Sequence, residues 1–512
     1  MANCVIDGCN HDSFMNETKC ALHCEKPTHK IPYTSRKLLS TFHNQLLDHI
    51  IECVFPGKSE SENINREQLK QHLNEGHRTR DFPDQDLSVF FDNISFPHTE
   101  IKDRHFYIKI LNKLGEIHFK NCSFSLFKFE SQDTKCFFEQ CTFLASWDLS
   151  RTNILDNQNK VLYQDCTFNK IVSATPEFDN KLMIQKSLFS DCDFKSSVEF
   201  YDVVFIEPVF KNISPKALQI DKLVISNCEL RNRFITSYLT INEILIENTI
   251  FKDKFEFKHN HVKRLVITNS NFEKIADLYD SSFSMFTIKK SIFDDFVGFE
   301  ECSFGDIDDN DTKYLSSFIY ATFLSFVNFR NTNFKSGLDI KNINLKEPPN
   351  FLNTVINPTN SNRETFRIIK NSFDKNGNFI EGNKFFVLEM NKYKEELSDK
   401  KLSQEKLMLW FNDVISGFGQ SYLKPISWIF ALSVIYTLLT ISHESNYLYK
   451  IFPPANDYIQ EITKGANTIA TNILPFEKFL REGMELISLL FYILFSSLIW
   501  QTIVSIKRKT KR

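Results

Sequence analysis

The hexamer Phe119-Lys120-Asn121-Cys122-Ser123-Phe124 returns, with changes at some positions, along the middle of a chain of 512 residues. Each copy has a large apolar residue, two polar residues, a small residue, any residue and a second large apolar residue. Close copies begin at Phe138, Tyr163, Phe189 and Phe299, and looser copies begin at Ile225, Ile246, Ile267, Ile288, Phe318 and Phe329. The four starts from Ile225 to Ile288 are 21 residues apart. A fixed period of about 20 residues indicates a solenoid.

The spacing inside the hexamer predicts short flat strands rather than helices. An amphipathic helix repeats its apolar residues at spacings of about 3 and 4, whereas these large residues recur at five. We therefore expect coils that turn large side chains inward and stack on one another. The inward set includes Phe143, Phe168, Phe194, Phe272 and Phe304. Six cysteines occupy the small position and are predicted to be packing residues, namely Cys122, Cys141, Cys166, Cys192, Cys228 and Cys302.

The hexamers resemble those of pentapeptide-repeat proteins, whose unit centres on Leu or Phe and has Ala, Cys, Ser or Thr two positions earlier. The resemblance covers roughly residues 115–345 and implies a right-handed β-helix with four faces per coil. Because the period here is often 21 residues and sometimes 25 or more, we expect bulges or loops at the corners. The predicted fold is mainly β, with a small helical N-terminal region, a helical C-terminal cap and two transmembrane helices.

The chain divides into five predicted regions. The β-helix spans residues 111–350. The other regions are a zinc-knuckle-like segment (1–30), a helical N-terminal region (31–110), a helical cap and linker (351–420), and a two-helix transmembrane hairpin with a basic tail (421–512). Apolar stripes predict helices over 34–53 and Asn65–Asn74, and a helical hairpin over Ser361–Leu397.

The first 25 residues hold a candidate metal site. Two cysteines five apart, then a ten-residue gap and Cys-x-x-His or Cys-x-x-x-Cys, suit tetrahedral Zn²⁺. The pattern resembles small Cys-Cys-Cys-His zinc knuckles, which implies Cys4, Cys9, Cys20 and His23 as ligands and Cys24 as the rival fourth ligand. Because the protein would fill every coordination position, the predicted zinc is structural. The alternative is free thiols on a flexible tail.

Two segments without charged residues, Pro425–Ser442 and Leu486–Ile506, are long enough to cross a membrane as helices. The first is near the lower length limit, so burial in a soluble core is its alternative. The basic tail from Lys507 predicts a cytoplasmic C-terminus, and His443–Glu485 would lie outside. No apolar run at the N-terminus suits a secretory signal, so we expect both termini and the β-helix in the cytoplasm.

The ending from Ser416 onward also looks like the C-terminus of membrane-bound pentapeptide-repeat proteins that are distantly related to two-helix ion channels. This resemblance implies a bacterial inner-membrane protein. The loop between the two apolar segments contains no Gly-Tyr-Gly or Gly-Phe-Gly filter sequence. Polar residues of the second segment (Ser496, Ser497, Gln501 and Thr502) would suit a pore in a homo-oligomer, although such residues more often join helices.

Charge and motifs narrow the function classes. A formal net charge of −3 gives no field that would attract nucleic acid, and it also weighs against DNA mimicry. No nucleophile elbow, phosphate loop or catalytic carboxylate motif is present, so we expect no enzyme activity. His259 and His261 are interpreted as corner-loop residues.

The leading hypothesis is a non-enzymatic, membrane-anchored scaffold that presents a cytoplasmic β-helix to a protein partner, which the sequence does not name. The alternative is an oligomeric, ion-channel-like or membrane-perturbing effector that is gated by the β-helix.

Overall fold

Stacked parallel strands dominate the N-terminal two thirds of the computed structural model, and helices dominate the remainder. The structure describes residues 3–15, 17–26, 34–55, 60–75, 87–100, 105–126, 134–149, 161–176, 180–212, 218–306, 314–398, 403–444, 461–467 and 480–510. Much of the predicted external loop (445–460 and 468–479) and the last two residues of the basic tail lie outside these ranges. The chain forms two compact units, Met1–Ser361 and Asn362–Arg512.

The first unit contains a parallel β-solenoid of about ten turns, which confirms the predicted fold class. Its strands form five sheets, and every paired strand runs parallel to its neighbour. A six-stranded sheet contains Ser88–Asp92, Glu116–Lys120, Lys135–Glu139, Tyr163–Gln164, Phe189–Ser190 and Phe210–Asn212. A five-stranded sheet contains Ser95–Phe96, Ser123–Phe124, Thr142–Phe143, Thr167–Phe168 and Asp193–Phe194.

The other three sheets extend to the C-terminal end of the solenoid. The twelve-stranded sheet contains Trp147–Asp148, Val172–Ala174, Val198–Tyr201, Leu218–Ser226, Leu239–Glu247, His261–Thr268, Ser282–Lys289, Ser303–Phe304, Ser316–Ile319, Asn333–Phe334, Leu338–Asp339 and Val355–Ile356. The eight-stranded sheet contains Leu182–Ile184, Val203–Phe205, Glu229–Leu230, Ile250–Phe251, Asn271–Phe272, Ile292–Phe293, Thr322–Phe323 and Asn344–Leu345. The last sheet contains Phe234–Ser237, Phe255–Lys258, Ala276–Asp277, Val297–Gly298 and Val327–Asn328.

Columns of stacked phenylalanine rings fill the solenoid core. The ring centroids of Phe143 and Phe168 are 4.5 Å apart, and those of Phe168 and Phe194 are 5.2 Å apart, with interplanar angles of 7° in both pairs. A second column places Phe272 4.6 Å from Phe293. Because the strands repeat in register, equivalent rings meet face to face on successive coils. All five phenylalanines predicted to point inward are buried, so this prediction is confirmed.

The small position of the hexamer closes a tight turn. The Cys141 thiol donates to the carbonyl of Glu139 in its own coil and to that of Phe119 in the preceding coil. The Thr249 hydroxyl makes the equivalent bonds in a later coil. The residue just before the small position adopts left-handed backbone geometry in coil after coil, for example at Gln140 (φ 53°). The turn therefore favours a small hydrogen-bond donor preceded by Asn, Asp or another polar residue.

The solenoid begins before the predicted residue 111, because the strand Ser88–Asp92 pairs in register with Glu116–Lys120. Its hexamer, residues 91–96, carries Ile94 where later coils have a small residue. The ring of Phe96 also contacts Phe42, 5.7 Å away between centroids. Phe42 belongs to helix α1 (Thr34–Val54), which is followed by α2 (Glu60–Glu75) and the short α3 (Ile108–Leu111). The N-terminal helices therefore cover apolar residues of the first coil.

The second unit is helical. Helices α4 (Arg363–Lys375) and α5 (Phe379–Glu396) form the predicted hairpin, and the side chains of Asn362 and Asn378 accept backbone N–H bonds at their N-termini. The buried Glu389 of α5 pairs with two cations of α4. The remaining long helices are α6 (Gln404–Ser416), α7 (Leu423–Glu444) and α8 (Glu485–Thr510), and residues 461–467 are also helical. Helices α7 and α8 are long and apolar enough to cross a membrane.

Candidate metal centre

Two tight loops bring the predicted ligands together near the N-terminus. In the first loop, Gly8 has a φ of +80° and the Cys9 N–H donates to the Ile6 carbonyl over 3.1 Å. In the second loop, the N–H groups of His23 and Cys24 both donate to the Cys20 carbonyl. A glycine suits the left-handed position without a steric penalty. Each loop therefore turns its ligand side chains toward the same point.

Hydrogen bonds donated by backbone N–H groups hold the two loops against each other. The Cys20 N–H donates to the Cys4 sulfur over 3.3 Å, and the Val5 N–H donates to the Thr18 carbonyl over 3.2 Å. The bond to Cys4 is of a kind that stabilises a thiolate, because the donor dipole points at the sulfur.

The ligand atoms of Cys4, Cys9, Cys20 and His23 lie within 4.8 Å of one another. The Cys9 and Cys20 sulfurs are 3.7 Å apart, and His23 Nδ1 lies 3.2 Å from the Cys20 sulfur and 3.6 Å from the Cys4 sulfur. Around a tetrahedral ion with metal–sulfur bonds of about 2.3 Å, neighbouring ligand atoms are about 3.4–3.8 Å apart. The cluster therefore has the composition and dimensions to hold a metal ion.

Cys24 does not belong to the cluster that the structure forms from the described residues. It is buried, and its carbonyl accepts a hydrogen bond from the Lys26 ammonium over 2.6 Å. Of the two rivals for the fourth position, the geometry favours His23. That these four residues bind zinc stays a prediction.

Burial shifts the pKa values of two of the four side chains, His23 and Cys20. It lowers the pKa of His23 to about 4, so the imidazole is neutral at pH 7 and can offer a lone pair. It raises the pKa of Cys20 to about 12, which disfavours a thiolate in the absence of a cation. A bound divalent ion would supply the missing positive charge and release the thiol protons.

The cluster is attached to the first solenoid coil. Ala21 and Leu22, between two of the ligands, are buried, and the Leu22 carbonyl accepts the N–H of Ser95 over 2.8 Å. The Lys26 ammonium lies 5.4 Å from the centre of the Phe42 ring, and burial lowers the pKa of Lys26 to about 8. The packing of the segment on strand and helix residues of the same unit weighs against the alternative of free thiols on a flexible tail.

The two histidines and six cysteines noted in the solenoid sequence all contact other residues of the solenoid. His259 bonds Asp280 over 2.9 Å and stacks on Tyr238, and His261 contacts the Ser282 hydroxyl. These contacts join neighbouring coils. The six cysteines at the small position are buried, and each bonds a backbone carbonyl.

A surface groove lies over the six-stranded sheet, and the sequence did not suggest it. Phe90, His118 and Phe137 form an outward aromatic column, with centroid distances of 6.4 Å and 4.9 Å between successive rings. Phe90 is 51% exposed. Charged and polar residues complete the lining, including Lys120, Glu139, Gln164, Asp191 and Lys211. The available signal was that each of the three aromatic residues immediately precedes an inward phenylalanine.

No protein-family model matches the chain, and searches of curated proteins and of solved structures give no significant match.

Proposed function

We propose that the protein is a non-enzymatic scaffold of the bacterial inner membrane, whose solenoid faces the cytoplasm and binds a protein partner. The observation that supports this most is the large apolar surface of α7 and α8. Phe430 is 73% exposed and Trp500 is 63% exposed. Side chains of this size on two long helices are costly in water and favourable in lipid. They weigh against the soluble-core alternative for α7.

Charges at one end of both helices support the orientation. Lys424 lies at the start of α7, and Lys507, Arg508 and Lys509 lie at the end of α8. Basic residues that flank membrane helices are enriched on the cytoplasmic side. Both ends of the hairpin would then be cytoplasmic, as would the solenoid that precedes it.

The aromatic groove is the part of the solenoid that best suits a protein contact. Exposed aromatic rings bordered by charged residues are typical of interface centres. The column of Phe90, His118 and Phe137 spans three successive strands of one sheet, so the in-register pairing of these strands holds its rings side by side.

Zinc at the candidate metal centre would be structural. Three cysteines and one histidine leave no open coordination position for a substrate. The ion would hold the N-terminal segment on the first coil, where the solenoid needs a cap.

Affinity capture with the full-length protein in mild detergent tests the partner proposal. A Phe90→Ala/Phe137→Ala variant is expected to lose the captured protein, because the ring column is removed. A Tyr238→Ala/Met183→Ala variant is the matched control, since it removes exposed side chains elsewhere on the solenoid. Equal capture by both variants would show that the groove is not the binding surface.

A further inference from the structure

Helix α6 carries an apolar stripe on its exposed side. The stripe consists of Leu407, Met408, Trp410, Phe411 and Val414. The side chains of Met408 and Trp410 are 65% and 54% exposed. Their spacing of one, three, four and seven residues from Leu407 places them on one side of a helix. In water, a contiguous patch of this kind is unfavourable.

The opposite side of α6 is already occupied within the same unit. Leu409 packs in a cluster with Leu397 and Phe418. Two charged residues of α6 contact α5: Asp413 pairs with Lys394 over 2.6 Å, and Glu405 accepts a bond from the Tyr393 hydroxyl. The apolar stripe is therefore the free side of a helix that is anchored by its polar side.

Side-chain bonds fix the level of α6 along α8. The Gln501 amide donates to Asn412 over 3.0 Å, and the Ser416 hydroxyl donates to the Gln501 amide oxygen over 3.2 Å. Gln501 precedes the basic residue Lys507 by six positions, which corresponds to about 9 Å along a helix. The turn after α6 contacts the same basic end, since the Arg508 guanidinium donates to the Phe418 carbonyl.

We infer that α6 is an interfacial membrane helix, whose apolar stripe inserts into the headgroup–acyl boundary of the cytoplasmic leaflet. This inference rests on the proposed membrane anchoring. The apolar side of such a helix is buried about 5–10 Å into this boundary. Gln501, which bonds α6, lies about 9 Å along α8 from the basic residues that would mark the membrane surface. Only six residues separate the end of α6 from the start of α7, whose apolar surface would enter the same membrane. The polar side, bonded to α5, would face the cytoplasm.

Tryptophan quenching in reconstituted full-length protein tests the inference. Trp428→Phe/Trp500→Phe leaves Trp410 as the lipid reporter, and Trp410→Phe/Trp500→Phe leaves Trp428. The fourth tryptophan, Trp147, is buried in the solenoid core and gives a constant background fluorescence. A variant in which Trp410, Trp428 and Trp500 are all replaced by Phe measures this background. The vesicles contain phosphatidylcholine and phosphatidylglycerol. Bromine is placed either near the headgroup or near the end of the acyl chains. Aqueous iodide is the opposing quencher.

The expected result is that lipid with bromine near the headgroup quenches Trp410 more strongly than lipid with bromine near the end of the acyl chain. Iodide in the aqueous phase is expected to quench Trp410 weakly. Quenching of Trp428 but not of Trp410 by lipid overturns the inference and leaves the membrane anchor intact. In that case, iodide shows where the stripe lies. Strong quenching of Trp410 by iodide indicates that the stripe is in water, and weak quenching indicates that a second copy of the chain covers it. If lipid quenches neither tryptophan, the proposed anchoring itself fails, and the inference fails with it.

Discussion

The Cys9 sulfur lies 3.7 Å from the Cys20 sulfur, although eleven positions separate these residues in the sequence. The separation matches the edge of a zinc–thiolate tetrahedron, whose metal–sulfur bonds are about 2.3 Å long. The two sulfurs belong to different loops, so a shared ion would join the two halves of the N-terminal segment.

We therefore predict one zinc ion per chain in the purified full-length protein, measured by elemental analysis. Cys9→Ser is expected to lose the ion, because it removes one of four ligands, while Cys24→Ser retains it as the control. Amide exchange at Ser95 should increase in Cys9→Ser, since Ser95 bonds the ligand loop, and distant coils should stay protected. Zinc that survives Cys9→Ser and is lost in Cys24→Ser would contradict the assigned ligand set.

Phe168→Ala tests the stacked core. The Phe168 ring lies between those of Phe143 and Phe194, so its removal opens a cavity that rigid neighbours fill poorly. The expected cost is about 3–5 kcal/mol of unfolding free energy. Met183→Ala, on an exposed side chain of the same solenoid, should change stability by no more than about 0.5 kcal/mol.

Urea unfolding of the detergent-solubilised protein, followed by the β-sheet circular dichroism band, gives both values. Equal midpoints for Phe168→Ala and Met183→Ala would show that the ring column does not carry the stability of the solenoid.

The sequence predicted the solenoid because its hexamers repeat the side chains that face the core. It did not show that the first coil starts before residue 111, because Ile94 replaces the small residue by which a hexamer is recognised. The left-handed turn position was also missed, since Asn, Gln, Asp and Lys all fill it and share no obvious pattern. The conformation of this residue depends on hydrogen bonds between neighbouring coils. The sequence of a single hexamer does not show these bonds.

At the candidate metal centre, the spacing of Cys and His residues along the sequence identified the four clustered side chains. It did not show which other residues pack against them. The contacts of the ligand loop with Ser95 and Phe42 join residues that are far apart in the sequence. The apolar stripe of α6 was missed for a related reason. A helix with apolar residues on two sides cannot be divided into buried and exposed sides until its neighbours are known.

Gln501→Leu distinguishes an anchor from a pore. In the structure the Gln501 amide bonds Asn412 and Ser416 of α6 within one chain, which explains its polarity without an ion path. We expect no reproducible conductance steps from wild-type protein in liposomes, and none from Gln501→Leu. The variant should lose stability by about 1–3 kcal/mol, because Asn412 keeps a polar group without its partner. Ser433→Ala is the control, since Ser433 is an exposed polar residue of α7 and lies outside the four candidate pore residues.

Regular steps from the wild-type protein that change in Gln501→Leu would favour the channel-like alternative. Steps that are unchanged in both variants would place an ion path elsewhere in the protein.

Alkaline phosphatase fusions in a bacterial host test the central claim, which is that two membrane helices anchor a cytoplasmic solenoid. A fusion after Tyr458, between the helices, is predicted to be active because the enzyme folds only outside the cytoplasm. Fusions after Arg512 and after Ser398, which precedes α6, are predicted to be inactive although their protein levels match. Activity after Ser398 and Arg512 together with inactivity after Tyr458 would contradict the account.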